Sequence, residues 1–424
     1  MKKVIVGLLI CCSIGIQAQN NAIQNALKTY DYEQAIKLIA KERKTPEMDL
    51  LKAKCFKNIA LYNDAIVLLE ELVKHDISNN SAVNELADCY QQVGNFSKSK
   101  LYYFMALQSN PTNRFAQLNY LNINYKLKDW KQTIQLAHSI LEKDSLPFLF
   151  PVLGDCFAQL SKTDSAIYYY KKAVISNPED YNTLSKLSGI YLHAEKYTDL
   201  INSTNRFILS DSSNQVINQY NGIGLCLNKN YERAIYRLNK LFQQGDSSFL
   251  TNYYLGASYF AIQDYISAFD QLNRAYNKDS SNIGMYYYLG KSAIFSGHQQ
   301  KGIQVLSKGL TMLIPNDSVL FNYYYNISQA YNRLNKPTEE IKYLKLCCQC
   351  LPGYRLGLYT IGSIYDNTLK KPEEAMKYYN LFMATRSNAK ADSSNSPQTA
   401  SYYNATQARM NELKEDLEQA KTKY

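Results

Sequence analysis

The chain has 424 residues, of which 46 % are apolar and 20 % are charged. This composition is typical of an ordered globular protein and excludes an intrinsically disordered chain. The formal net charge of +10 is spread along the sequence without a dense basic patch. The sequence therefore gives little support to nucleic-acid binding, and we expect no nucleic-acid partner.

The first 18 residues have the pattern of a secretory signal peptide. A lysine pair precedes a 13-residue apolar stretch, residues 4–16, which is too short to span a bilayer as a helix. Ala18 is a small residue suited to cleavage. The alternative is a lipoprotein acylated at Cys11 or Cys12, although the residues before them lack the usual small side chain. No later stretch approaches transmembrane length, so we expect an exported protein, periplasmic or associated with the outer membrane.

A 34-residue repeat is the strongest pattern in the chain. Five small residues follow one another at this spacing: Gly154, Ser188, Gly222, Gly256 and Gly290. A second series of aligned positions, small at most of its members, advances in steps of 30 to 38 residues: Ala35, Ala65, Ser99, Thr133, Ala166, Leu200, Ala234, Ala268, Gly302, Glu340 and Ala375. A repeat of this length predicts a solenoid of helical hairpins in which each unit contacts only its neighbours.

One unit, residues 148–178, shows how the sequence defines two helices. Gly154 lies on the buried face of the first predicted helix and Ala166 on that of the second, so the two helices can approach closely. Asn177-Pro178 ends the second helix, because proline cannot continue a helix and restricts the residue before it.

These positions resemble those of the tetratricopeptide repeat (TPR) family. The family pattern of large, small and aromatic residues is matched by Phe150, Leu153, Gly154, Phe157, Ala166, Tyr170, Ala173 and Pro178. The resemblance implies an all-α fold, a right-handed superhelical solenoid of about eleven helix-turn-helix repeats over residues 19–386. It also implies that the first helix of each repeat lines a concave inner face. With the predicted export, the chain resembles Bacteroidota cell-envelope TPR proteins.

The C-terminal region departs from the repeat. Residues 387–399 are polar and are predicted to form a linker. Residues 400–424 place four apolar side chains on one helical face: Met410, Leu413, Leu417 and Ala420. This pattern predicts a capping helix that covers the last repeat, and docking onto a partner is the alternative.

No motif in the chain predicts enzymatic chemistry. Gly290-Lys291-Ser292 resembles the end of a phosphate-binding loop, but the required earlier glycine is Met285. The four histidines form no His-Glu-x-x-His pair, and no serine or cysteine has a local nucleophile signature. We therefore predict that the protein is not an enzyme and has no catalytic residue, no metal site and no cofactor.

Seven cysteines follow the predicted signal peptide. Cys55, Cys89 and Cys156 share one register position, where neighbouring repeats are too far apart for a disulfide, so we expect buried thiols. Cys347 and Cys350 lie close enough in sequence to meet at a helix end. A local disulfide between them and free thiols both stay open.

The candidate binding residues are tyrosines at the fifth position of four successive repeats, repeats 8 to 11. We call this set the tyrosine row: Tyr253, Tyr287, Tyr325 and Tyr359. Two more tyrosines and three polar side chains accompany the row: Tyr254, Tyr288, Lys291, Gln329 and Asn332. Tyrosine combines a large apolar ring with a hydroxyl group, so it suits a contact surface.

The resemblance places the tyrosine row on the concave face and implies a non-enzymatic scaffold or assembly factor that binds a peptide or partner protein in the cell envelope. Aromatic rings also stack on sugars, so a glycan- or polymer-binding protein is the alternative. A third interpretation is that the row reflects packing alone, since tyrosine is abundant throughout the chain. The family's two-carboxylate clamp is not matched, because Lys54 is followed by Asp88 and Asn122 at the equivalent positions.

Overall fold

A computed structural model describes residues 21–312, 317–386 and 397–422 of the chain. The predicted signal peptide, residues 1–18, and residues 387–396 of the predicted linker lie outside the described residues. Within the described ranges the protein forms 23 α-helices and no β-strand. The predicted all-α fold is therefore confirmed.

Eleven helical hairpins follow one another along the chain. In order they are α1–α2 (21–28, Tyr32–Ile39), α3–α4 (Pro46–Asn58, Tyr62–His75), α5–α6 (Asn80–Gln92, Phe96–Ser109), α7–α8 (Arg114–Lys126, Trp130–Leu141), α9–α10 (Leu149–Gln159, Thr163–Ser176), α11–α12 (Tyr181–His193, Tyr197–Ser210), α13–α14 (Gln215–Leu227, Tyr231–Gln243), α15–α16 (Phe249–Ala261, Tyr265–Lys278), α17–α18 (Ile283–Phe295, Gln299–Met312), α19–α20 (Asp317–Arg333, Pro337–Cys350) and α21–α22 (Arg355–Ser363, Pro372–Ala384). A π-helical turn, Ile364–Thr368, extends α21, and α23 (Pro397–Thr422) comes last.

The chain divides into two compact units, Met1–Ile190 and Tyr191–Tyr424. Within the first unit, buried side chains from α3 to α7 form one core cluster that runs from Ala53 to Ile123. Within the second unit, consecutive helices from α12 to α22 pack against one another in the same pairwise way. Each unit is thus a stack of TPR-like hairpins, as the 34-residue spacing predicts.

All eleven aligned positions in the second helices are buried, which confirms the predicted register. Glu340 is the chemical exception, since a carboxylate stands where most repeats have a small residue. Its side chain is 4 % exposed and accepts two hydrogen bonds of 3.1 Å from Nδ2 of Asn332. Burial raises the pKa of the Glu340 carboxyl above its ordinary value.

The glycines of the 34-residue series allow the helices of a hairpin to touch. A methyl group added at any of four of them would come within 2.5–2.7 Å of a side chain on the facing second helix, in the pairs Gly154–Tyr170, Gly222–Leu238, Gly256–Leu272 and Gly290–Leu306. Such distances are shorter than van der Waals contact. The predicted close approach of the two helices is confirmed.

Every hairpin turn contains one residue in the left-handed backbone conformation. This residue lies five positions before the aligned buried position of its second helix, with φ between 52° and 94°: Tyr30, Ala60, Gly94, Lys128, Ser161, Glu195, Lys229, Gln263, Gly297, Asn335 and Lys370. In the turn at Lys128, the next amide, that of Asp129, donates to the carbonyl of Asn124 at 2.9 Å. This bond is the Schellman motif that ends a helix.

Glycine in these turns is expected to stabilise the protein. Ala60→Gly and Lys128→Gly relieve the left-handed strain of an L-residue, which outweighs the added freedom of the unfolded chain. We expect each to raise the free energy of unfolding by about 0.5–1 kcal/mol, measured by urea unfolding followed by circular dichroism. Gly94→Ala is the matched control, because no atom lies within 4 Å of the added methyl and φ is 78°. It should lower stability, and a gain there would contradict the argument.

The C-terminal helix packs against the last hairpin, as predicted. Four side chains of α23 are buried there: Tyr403, Thr406, Met410 and Leu413. Leu417 is half-buried, and the side chain of Ala420 lies outside the described residues. The helix begins at Pro397, three residues before the predicted start of 400, and its outward residues 414–416 are charged and exposed. A polar outer face lets a terminal helix end a repeat stack.

The seven described cysteines are all free thiols. Cys55, Cys89 and Cys156 are at most 1 % exposed, which confirms the expected buried positions. Cys347 and Cys350 lie in the continuous helix α20, with Cys347 turned toward the carbonyl of Phe321. In the described part of the chain, no helix is both long and apolar enough to cross a membrane.

Candidate functional site

The tyrosine row lies on four first helices, α15, α17, α19 and α21, and each ring is half-buried. Neighbouring members of the row make no ring contact among the described residues. Each packs instead on rings of its own surroundings, such as Tyr253 stacked on Phe249 at 5.6 Å and Tyr325 stacked on Phe321 at 6.1 Å. The row is therefore a series of separate aromatic positions, one on each first helix.

An open groove of about 450 Å³ runs beside α15 in the second unit. We call it the aromatic groove, and it is lined by Cys226, Leu227, Lys229, Tyr231, Tyr253, Tyr254, Ala257, Phe260, Ala261 and Tyr288. The rings of Tyr253 and Tyr254 meet edge to face at 5.0 Å, as do those of Phe260 and Tyr288 at 4.9 Å. A volume of this size lies within the range of small-ligand sites, about 300–1,000 Å³.

The four tyrosine hydroxyls of the aromatic groove have no hydrogen-bond partner within the described ranges. They belong to Tyr231, Tyr253, Tyr254 and Tyr288. Burial raises the pKa of Tyr253 to about 12, and burial also raises the pKa of Tyr254. Both groups stay protonated at neutral pH, so each can donate one hydrogen bond and accept others. The groove thus offers apolar walls together with unused donors and acceptors.

Lys291 lies next to the aromatic groove among four rings. Its Nζ is 5.5 Å from the ring centre of Phe260 and between 5.9 and 6.0 Å from those of Tyr265, Tyr287 and Phe295. At these distances the ammonium is attracted to the ring faces. Because Phe260 also lines the groove, the structure brings five predicted residues into one neighbourhood: Tyr253, Tyr254, Tyr287, Tyr288 and Lys291.

The other four predicted residues do not line this groove. Tyr325 belongs to a second ring cluster with Phe321 and Tyr354. Gln329 is half-buried on α19. The amide of Asn332 is used by Glu340.

Tyr359 is covered from within the chain. Its ring lies 4.8 Å from that of Tyr402 on α23 and 5.6 Å from that of Phe382 on α22. The C-terminal helix therefore covers Tyr359, which is the member of the tyrosine row in repeat 11.

The first helices of the first unit have a different chemistry, since their charged groups pair with one another. Lys57 on α3 donates to Asp88 on α5 at 3.0 Å, and Lys186 on α11 donates to Asp155 on α9 at 2.8 Å. Tyr125 also donates to Asp155, at 2.7 Å. At the position equivalent to Lys54, the next repeat thus has an acid, Asp88, which is paired to Lys57.

The triplet Gly290-Lys291-Ser292 lies in the middle of α17, with Gly290 and Ser292 both buried. A phosphate-binding loop instead precedes a helix and exposes its backbone amides. The described residues also hold no group of three or more His, Cys, Asp or Glu side chains that could bind a metal ion.

Sequence reasoning missed seven of the ten lining residues, among them Phe260, Tyr231 and Cys226. Phe260 follows Tyr253 by seven residues, so it lies on the same helical face and could have been found by extending that face two turns. Tyr231 begins the second helix α14, and Cys226 belongs to the preceding repeat. The single-repeat register gave no signal for these two, because the groove is formed between repeats.

The hairpins and their common register define an all-α helical-repeat protein with an aromatic groove on its first helices. No protein-family model and no curated protein matches the sequence. Similar solved structures include a tetratricopeptide repeat protein from Parabacteroides merdae, with 14 % identity and a TM-score of 0.39 over 60 % of this chain and 99 % of that chain. Another is YrrB, a TPR protein with an unusual peptide-binding site, with 16 % identity and a TM-score of 0.40 over 45 % and 96 %. The fold assignment rests on the hairpins described above.

Proposed function

We propose that the protein is a non-enzymatic interaction scaffold or assembly factor of the bacterial cell envelope. It holds a peptide or a segment of a partner protein in the aromatic groove, against the first helices of repeats 8 and 9 and the adjoining residues of repeat 7, since α23 covers the tyrosine of repeat 11. The observation that carries this proposal is the aromatic groove with its four tyrosine hydroxyls, which have no partner among the described residues. An extended peptide presents one N–H and one C=O per residue, which these hydroxyls can satisfy while the rings cover apolar side chains.

The envelope location depends on residues 1–18, whose pattern is that of an export signal. Fractionation of the native cells and the mass of the mature N-terminus test it. A mature protein that begins at Met1 in the cytoplasm would contradict this part of the proposal without touching the binding site.

A random dodecapeptide display library, selected on the immobilised full chain, provides the ligands for a binding test. The variant combines Tyr253→Phe, Tyr254→Phe and Tyr288→Phe, which removes their hydroxyls and keeps the rings. We expect selected peptides to bind it at least tenfold more weakly by fluorescence anisotropy, because each lost hydrogen bond is worth about 0.5–1.5 kcal/mol.

The matched control combines Tyr168→Phe and Tyr236→Phe, two tyrosines that are 51 % and 68 % exposed on second helices. Peptide binding should be unchanged in this variant. Equal losses in both variants, or peptides that bind both as tightly as the natural chain, would overturn the proposed site. Selective binding of sugars on a glycan array, lost in the groove variant, would instead favour a glycan-binding protein.

A further inference from the structure

The aromatic groove has an unneutralised positive charge on each side. Lys229 lines it from the turn between α13 and α14. Lys291, on α17, lies beside the ring of Phe260, on α15. Across the residues that the structure describes, neither ammonium forms an ion pair or a hydrogen bond. The ten lining residues include no aspartate or glutamate. The local charge is therefore positive and available to a ligand.

Two first-helix lysines of the first unit are neutralised instead. Lys57 and Lys186 each lie within 3.0 Å of a carboxylate on a neighbouring first helix, whereas Lys126 lies over the ring of Phe96. In the aromatic groove, rings take the place of these carboxylates. Rings attract a cation but do not neutralise its charge, so the two lysines keep their capacity to bind an anion.

The geometry limits the shape of the ligand. Lys229 belongs to the repeat of α13 and Lys291 to that of α17, which are two repeats apart. With neighbouring packed helices about 8–10 Å apart, and Lys229 about six residues further along its repeat than Lys291, the separation of the two backbones is about 20 Å. An extended chain advances about 3.3 Å per residue, so about six residues join the two lysines. Tyr254 and Phe260 line the groove from α15, the first helix of the repeat between those of the two lysines.

We infer that the groove binds an extended peptide segment with one large apolar side chain and acidic residues about three positions away on each side. The apolar side chain enters between Tyr254 and Phe260, and the two carboxylates pair with Lys229 and Lys291. This inference rests on the proposed function and names the chemistry of the segment. Because Lys291 is half-buried among rings, its ion pair is less screened by solvent than one on an open surface.

The dodecapeptide selection tests the inference directly. We expect the selected sequences to share a Phe, Leu, Ile or Tyr flanked by Asp or Glu about three residues away on both sides. A synthetic copy with Asn and Gln in place of the acids should bind at least tenfold more weakly. On the double variant Lys229→Gln/Lys291→Gln, the acidic and neutral peptides should bind equally, and the salt dependence of binding should fall.

The control variant combines Lys278→Gln and Lys301→Gln. Lys301 also lies over a tyrosine ring, 5.3 Å from that of Tyr276, but on the second helix α18. This variant should keep the full preference for the acidic peptide. Circular dichroism melting of both variants shows whether they are folded, and Lys291→Met preserves the packing of the side chain if glutamine does not.

Two results separate the inference from the proposed function. Peptides that depend on the groove tyrosines but show no acidic preference would overturn the inference and leave the scaffold proposal in place. The inference is also wrong, and the scaffold proposal stays in place, if the Lys229→Gln/Lys291→Gln variant keeps the preference for the acidic peptide. If no selected peptide depends on Tyr253, Tyr254 or Tyr288, both the inference and the proposed site are wrong.

Discussion

Gly302→Ala is expected to destabilise the protein by about 2 kcal/mol, and Gly302→Val by more. A methyl group at this position would lie 2.8 Å from the carbonyl oxygen of Gly290 and 3.2 Å from the amide nitrogen of Ile294. Both are backbone atoms of α17, so no side chain can rotate away. The two helices must separate, which opens the packing on both sides of the contact.

Gly284→Ala in the same hairpin is the matched control. Its added methyl would meet only the side chain of Asn282 at 3.4 Å and the hydroxyl of Tyr253 at 3.8 Å. Because alanine is a better helix former than glycine, this substitution should raise stability by up to about 1 kcal/mol. Thermal melting and hydrogen exchange of the α17 and α18 amides measure both effects. A stabilising Gly302→Ala would show that the helices are not held in contact there.

The sequence predicts most of the fold because the solenoid repeats one local rule. A small residue at Gly154 or Gly256 faces a large one sixteen positions later, at Tyr170 or Leu272, and the same spacing recurs in the hairpins of Gly222 and Gly290. Local rules of this kind need no knowledge of long-range contacts. The burial of Glu340 shows that register can hold even where the residue type does not fit, because Asn332 satisfies its carboxylate.

The candidate site is less predictable, because it depends on contacts between repeats. The repeat register identified Tyr253 and Lys291 but gave no indication that Phe260 joins them. It also could not show that Tyr359 lies under α23, since the docking of that helix follows from side chains far away in sequence. The repeat register compares equivalent positions of different repeats, whereas the aromatic groove is formed by non-equivalent positions of neighbouring repeats.

Arg409→Ala is expected to release the C-terminal helix. Arg409 donates two hydrogen bonds of 2.9 Å to the carboxylate of Asp366, whose side chain is 5 % exposed. Without Arg409, the hydrogen bond left to this buried charge among the described residues is that from the hydroxyl of Tyr379, at 3.3 Å, and Lys370 is a further favourable charge. Breaking such a pair costs about 3–5 kcal/mol when both groups are buried. Since the Arg409 side chain is 40 % exposed, we expect about 2 kcal/mol. Hydrogen exchange of the α23 amides 401–418 measures this loss of docking free energy.

The pH dependence of α23 docking gives a test that a general loss of packing would not pass. The hydrogen bonds from Arg409 hold the pKa of the Asp366 carboxyl below its ordinary value. A lowered pKa in the folded state means that docking is fully stabilised above the unfolded pKa, about 3.9, and weakens as the pH falls through the folded value. In Arg409→Ala burial, which raises the pKa, is opposed only by the smaller lowering effects of the Tyr379 hydroxyl and the Lys370 charge. We therefore expect the sign to reverse, so that docking improves as the pH is lowered from 7 toward 4.

Arg386→Ala is the matched control for charge loss beside α23. Its guanidinium lies 5.6 Å from the ring of Tyr403, and it pairs with no carboxylate of the described ranges. We expect a loss below about 1 kcal/mol and no reversal with pH. Exchange rates corrected for the intrinsic pH dependence of amides compare both variants with the natural chain. Equal deprotection of α23 by the two substitutions, or the same pH slope in Arg409→Ala as in the natural chain, would show that the Asp366–Arg409 pair does not hold the helix. When α23 detaches, Tyr402 no longer covers Tyr359. The Asp366–Arg409 pair therefore also determines whether repeat 11 can take part in binding.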